Sequence, residues 1–206
     1  MVRNLADLLS SVVRRDRSEE TGVTARENCL VCNASLVDSQ PYAQHRVCPV
    51  CRFHYSMTAR ERIDSLADPG TFRETSRSLT SLDPLSFSSR VSYRQRILRD
   101  QKRTGLTEAA VTGSCSIGTS PVTLIVLDFG FMGGTMGCVV GEKVALAMEQ
   151  AVKKKTPVIA VVTSGGARIQ EGVLSLMQMA KTSIAARQLG DKGLPFISVL
   201  ANPATG

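Results

Sequence analysis

Histidine is nearly absent from this chain: there are two in 206 residues, His45 and His54, both inside one short cysteine-rich stretch. Everything beyond His54 lacks the usual general base of acyl transfer, so no Ser–His–Asp or Cys–His arrangement can form there. The pattern G-x-S-x-G is missing as well, so Ser164 is no nucleophile elbow. Gly130, Gly133 and Gly134 have neither the spacing of a dinucleotide fingerprint nor the Lys-Ser/Thr of a phosphate loop. No uninterrupted apolar run approaches the ~20 residues that span a bilayer. The charged first twenty residues hold no secretion signal, which points to a reducing, cytoplasmic setting without membrane attachment.

Net charge is +7 but spread out, with 9 basic against 7 acidic residues over 1–63, 8 against 6 over 64–110, and 8 against 5 over 111–206. That is not the concentrated basic stripe of a nucleic-acid groove, although it would suit an anionic small molecule.

What the chain does have is two C-x2-C pairs, Cys29 with Cys32 and Cys48 with Cys51, separated by fifteen residues. This spacing lets two tight knuckles converge on one tetrahedral zinc, with the intervening stretch long enough for a small hairpin. His45 and His54 flank a shell that four thiolates already complete. Cys115 and Cys138 sit in apolar or Gly-rich surroundings and read as packing residues.

Along the chain, Val2, Leu5, Leu8, Leu9, Val12 and Val13 share one helical stripe, followed by a polar linker, so residues 1–27 read as a docking helix and linker. Residues 28–56 form the zinc module and 57–206 the main domain. Thr58 and Glu61 make a capping box opening a helix that stops at Asp68-Pro69-Gly70. A second helix is expected over 91–102, stopped by Gly105. Runs at 110–117 and 122–129 around Gly118 and Pro121 read as a hairpin. A glycine-rich loop then leads to a helix over 141–154. A strand at 158–163, a loop at 164–168, a helix over 171–189 and a strand at 196–200 complete an α/β layer pattern. The pattern ends on a strand and a second glycine loop, 202–206, with no covering helix, so the domain is expected to be incomplete.

Glycine at the C-terminal end of a parallel strand lets backbone N–H groups point into a cleft. Two such loops after neighbouring strands could aim two donors at one developing oxyanion, each typically worth ~10²–10³ in rate.

The strings Phe131-Met-Gly-Gly-Thr-Met-Gly-Cys-Val-Val-Gly-Glu-Lys143, Ser164-Gly-Gly-Ala-Arg-Ile-Gln-Glu-Gly172 and Ser175-Leu-Met-Gln-Met-Ala-Lys-Thr-Ser183 resemble the β subunit of bacterial-type acetyl-CoA carboxylase carboxyltransferase. The four-cysteine ribbon and Asp68-Pro-Gly-Thr-Phe72 match that family in the same order. The resemblance implies a crotonase-like ββα spiral fold with an N-terminal zinc ribbon. It also implies carboxyl transfer from carboxybiotin to acetyl-CoA, giving malonyl-CoA in the first committed step of fatty acid synthesis. Thioester-oxyanion donors would lie around Gly165, Gly166 and Ala167, with a companion at Gly206. Gly133, Gly134 and Arg168 would lie against cofactor or substrate. Arg168, Gln170 and Glu171 would also hold the loop and an interface.

The implied partners are an α subunit in an α2β2 heterotetramer, which would supply the second oxyanion hole, together with biotin carboxyl carrier protein and biotin carboxylase. Two alternatives stay open. One is a related biotin-dependent acyl-CoA carboxyltransferase or decarboxylase. The other is a regulator that binds nucleic acid through the ribbon, whose Arg46 and Arg52 and whose aromatics Tyr42, Phe53 and Tyr55 are few for that task.

Overall fold

The computed structural model describes residues 27–205. The proposed docking helix of the first residues, and Gly206, lie outside them. The chain divides at Ser56 into two compact units.

In the first unit the chain folds around its cysteines. Short antiparallel bridges pair Asn28 with Ser35 and Val47 with His54, one at each knuckle. Between the knuckles stands a helix, α1 (Gln40–His45), where a hairpin was expected. Ser39 caps it, Pro41 fits its first turn, and Arg46 closes it in the left-handed conformation. Tyr42 turns inward from this helix to meet Tyr55 edge-on, and Phe53 packs against Tyr55 in the same way. These rings, with Leu36, Cys29 and Cys48, make the unit's small core.

The second unit is a five-stranded mixed sheet in the order β1-β2-β3-β4-β5. β1 (Arg73–Thr75), β2 (Ala110–Ile117) and β3 (Ser120–Leu127) run antiparallel; β4 (Val158–Ser164) and β5 (Phe196–Ala204) continue from β3 in parallel. The three-residue β1 left no strand signature in the sequence. It pairs against Thr112 to Ser114, where Gly113 leaves room: a Cβ there would lie 2.5 Å from the Arg73 carbonyl oxygen and 2.6 Å from the Phe72 ring.

β3 is apolar from Val122 to Leu127 except for the buried Thr123, because both of its faces are covered. Leu124 and Val126 join a cluster with Ala59, Ile63, Tyr93 and Ile97, which come from α2 (Ala59–Leu66) and α3 (Tyr93–Thr104). Ile125 faces the other way, into a cluster with Val144, Met148, Ala151, Ala185 and Leu189 from α4 (Cys138–Lys154) and α5 (Val173–Asp191).

The helix starts follow from sequence. The Thr58 box forms as read: the Thr58 amide donates to Glu61 Oε2 at 2.8 Å and the Glu61 amide to Thr58 Oγ1 at 3.2 Å. Ser92 and Gln95 build a second box that opens α3, and Gly105 at φ +69° ends it. Asp128, at the end of β3, accepts from the Ala59 amide at 2.6 Å and from the Gly130 amide at 2.8 Å, joining the start of α2 to the turn after the strand. Among the described residues no helix is long and apolar enough to cross a membrane.

Candidate active site and metal centre

The four cysteine sulfurs lie within 4.8 Å of one another. Cys29 Sγ is 3.6 Å from Cys51 Sγ, and Cys32 Sγ is 3.7 Å from Cys48 Sγ. A tetrahedron with Zn–S bonds near 2.3 Å has edges of about 3.8 Å, so the cage fits that ion in size and donor type. Burial disfavours a thiolate at Cys29, but amides of the first knuckle and the Tyr55 hydroxyl, 3.1 Å away, outweigh it and bring the thiol down to about 6. At Cys51 the amide of Phe53 favours the thiolate, yet burial and the three neighbouring sulfurs push the thiol up to about 12. The amides of the second knuckle likewise outweigh burial at Cys48 and lower its thiol, so thiolates are favoured at Cys29 and Cys48 while Cys51 resists further charge, a balance that a dication completes.

The second site is the loop from Ser164 to Gly172 between β4 and α5. β4 and β5 are parallel neighbours, as expected of the strands preceding the two glycine loops. β5 runs on through Ala204, and the Thr205 amide donates to the Ser164 carbonyl at 2.8 Å.

The three candidate amides in the first loop differ sharply. The Gly165 amide donates to the Gly133 carbonyl at 2.8 Å, and the Gly166 amide to Ser164 Oγ at 3.0 Å. Ala167 forms a parallel bridge with Met136: the Met136 amide donates to the Gly166 carbonyl at 2.9 Å, and the Arg168 amide to the Met136 carbonyl at 2.8 Å. In parallel pairing, the residue between those two bonds turns its own N–H away from the partner strand. The Ala167 amide accordingly has no acceptor among the described residues, and the residue is exposed.

Gly133 and Gly134 lie on the opposing loop, both at positive φ (+67° and +63°). A Cβ on Gly134 would fall 2.3 Å from the Thr163 carbonyl oxygen, whereas one on Gly133 would meet only ordinary contacts at 3.9 Å. Gly134 thus serves the close approach of two backbone segments within the chain, and Gly133 offers its carbonyl to the Gly165 amide.

Beneath the loop is a buried polar network that sequence reasoning missed. Arg168 has no exposed surface and every donor is engaged. Its guanidinium grips Glu108 with both nitrogens, at 2.7 and 3.0 Å. It also donates to the Thr135 carbonyl at 2.9 Å, Thr135 Oγ1 at 3.2 Å, the Tyr93 hydroxyl at 3.0 Å and Ser81 Oγ at 3.2 Å. Ser81 donates in turn to Glu108, and the Tyr93 hydroxyl to Glu171. Glu171 Oε2 accepts from the Cys138 amide at 2.6 Å, at the start of α4, where a carboxylate meets the positive helix end. Burial works against the Glu171 carboxylate, but that amide, the Tyr93 hydroxyl and Arg168 hold it below the usual carboxylate range.

Lys143 of α4 is also buried, donating to Thr107 Oγ1 and the Ala110 carbonyl, both at 3.2 Å. Among the described residues two cations, Arg168 and Lys143, and four carboxylates, Asp100, Glu108, Asp128 and Glu171, are buried, and Arg168 is the cation that pairs with Glu108 and Glu171. Of the sequence candidates, Arg168 has no surface left for a ligand. It and Glu171 hold the loop from below, and Gln170 is likewise buried.

Comparison with known proteins agrees with this frame. A family model described as the carboxyl transferase domain matches residues 55–206. A curated acetyl-coenzyme A carboxylase carboxyl transferase subunit beta from Desulforamulus reducens is 44% identical over 202 residues, covering 94% of this chain and 69% of that protein. Its counterpart from Methylacidiphilum infernorum is 45% identical, covering 85% of this chain and 63% of its own length. The chain therefore spans roughly two thirds of the curated relatives it matches. Among solved structures, a transcarboxylase 12S with methylmalonyl-coenzyme A bound superposes with a TM-score of 0.60 at 27% identity, over 98% of this chain and 32% of that one.

Proposed function

This chain belongs to the carboxyl transferase domain family, in its acetyl-coenzyme A carboxylase β-subunit branch, and we propose that it takes part in moving a carboxyl group from carboxybiotin to acetyl-CoA to give malonyl-CoA. The observation that carries the reading is the exposed, unpartnered Ala167 amide at the C-terminal end of a parallel strand, flanked by amides already spent inside the chain.

In this reading the acetyl thioester oxygen accepts from the Ala167 N–H. The acetyl methyl loses a proton to the ureido nitrogen of the co-substrate as CO₂ is released, and the resulting carbon attacks that CO₂. Negative charge gathers on the thioester oxygen during this step, so a preset donor stabilises the transition state more than the ground state. No histidine is needed. The Gly206 amide is the second proposed donor, beyond the described residues. Cys29, Cys32, Cys48 and Cys51 would hold a zinc ion that cross-links the two knuckles and takes no part in the chemistry.

The partners we propose are an α subunit, completing an α2β2 assembly and furnishing the hole for the biotin carbonyl, plus biotin carboxyl carrier protein and biotin carboxylase. The test is malonyl-CoA formation by the full chain with an α subunit and carboxybiotin, wild type against Ala167→Pro. Proline deletes this N–H at a residue that is not at positive φ. At Gly166, whose φ of +100° proline cannot adopt, the same change would break the loop instead. We expect turnover to fall by about 10²-fold or more with zinc and helix content retained; unchanged turnover removes Ala167 as the donor.

A further inference from the structure

Resting on the carboxyl-transfer reading above, we propose that Arg168 is a positioning residue. Clamped by Glu108 and Tyr93, it fixes where the Ala167 amide points.

Arg168 follows Ala167 directly, and its own amide is fixed to the Met136 carbonyl at 2.8 Å. Its side chain then reaches inward and ends on groups from four other segments: Ser81, Tyr93 at the start of α3, Glu108 ahead of β2, and Thr135. Glu171, three residues on, is tied to Tyr93 and to the start of α4. The exposed part of the loop is thus tied at both ends to the helix starts and connecting segments around it, while Ala167 and Ile169 between and beside these anchors are exposed.

Stability alone does not call for such a device. Arg168, Glu108 and Glu171 lose their hydration in the interior, and a well-packed apolar cluster of equal volume is often at least as stable. What the bidentate guanidinium clamp supplies that an apolar cluster does not is one defined orientation. Placement matters here because a displacement of about 1 Å in a catalytic group can cost on the order of 10² in rate.

The experiment uses the full-length chain assembled with its α subunit and acetyl-CoA labelled with ¹³C at the thioester carbonyl. The infrared frequency of that carbonyl reports how strongly the site hydrogen-bonds it. Tyr93→Phe deletes the one hydroxyl shared by Arg168 and Glu171 while keeping the ring. Arg168→Lys keeps the charge but loses the fork. We expect kcat to fall roughly 10-fold in Tyr93→Phe and about 100-fold in Arg168→Lys. KM for acetyl-CoA should stay within about twofold, because ground-state contacts elsewhere persist. The bound carbonyl should move back toward its frequency in water in the same order.

A wild-type shift that both variants keep in full overturns the positioning role and leaves the carboxyl-transfer reading standing. So does loss of turnover that tracks only a lowered melting temperature. If the wild-type carbonyl does not shift on binding, the donor reading itself fails, and this proposal fails with it. Should Arg168→Lys not fold, Tyr93→Phe decides alone.

Discussion

Replacing Gly134 by alanine should be far more damaging than the same change one residue earlier. Both glycines have positive φ, so each alanine pays a left-handed conformational cost of about 1–2 kcal/mol. At Gly133 that is nearly all, since the nearest atoms lie 3.9 Å from the added carbon. At Gly134 the new Cβ would be 2.3 Å from the Thr163 carbonyl oxygen and 3.2 Å from its carbonyl carbon. Ordinary contact begins near 3.4 Å, so the backbone of one loop must retreat by about 1 Å. That carbonyl belongs to β4 immediately before Ser164, and the same two loops are joined by the Gly165 to Gly133 hydrogen bond. The displacement therefore passes directly to the candidate donor loop. Gly134→Ala should lose about 2–4 kcal/mol in urea unfolding, as overpacking with backbone strain does. Carboxylation of acetyl-CoA should drop about 10²-fold. Gly133→Ala should lose only the conformational cost and keep most of its turnover. Equal effects at the two positions would refute the argument from close approach.

The metal cage predicts one zinc per chain by elemental analysis. Cys29→Ser or a strong chelator should release the ion and unfold the first unit, seen as lost near-ultraviolet signal from Tyr42 and Tyr55. Glu171 sets a pH dependence: its carboxyl lies below the ordinary value when folded, so the stability it confers is complete above about pH 4.5 and is lost as pH falls through the lower, folded value. Glu171→Gln should flatten that acid limb in thermal melts while lowering stability at pH 7. Cys138 should resist alkylation at pH 8, because burial and the neighbouring Glu171 push its thiol up to about 11. Rapid labelling by iodoacetamide at pH 8 would contradict that microenvironment.

The readable parts of this sequence were those whose causes are local. The cysteine knuckles, the Thr58 box, the Gly105 stop and the hairpin each lie within a few residues of their own partners. The parallel layers followed because β3 and β4 carry mostly apolar runs of strand length. The helix between the knuckles was misread as a hairpin: Ser39 and Pro41 carried a start signal, but six residues are too few for periodicity to show. The buried network was invisible for the opposite reason. Glu108 lies 60 residues from Arg168, Tyr93 75 and Ser81 87, and no spacing rule connects them. The one available hint was a glutamate set directly before the apolar start of β2. Nor could sequence tell the amides of Gly165, Gly166 and Ala167 apart, since that depends on which neighbours the folded loops bring within reach.

A peptide N–H has no proton to lose in the ordinary range of pH and no side chain to label. A substitution at Ala167 other than proline therefore keeps the N–H itself. Reagents aimed at cysteine, lysine or histidine pass it by. Any pH dependence of turnover would therefore come from groups other than the donor itself, such as Glu171 beneath the loop or the reacting molecules.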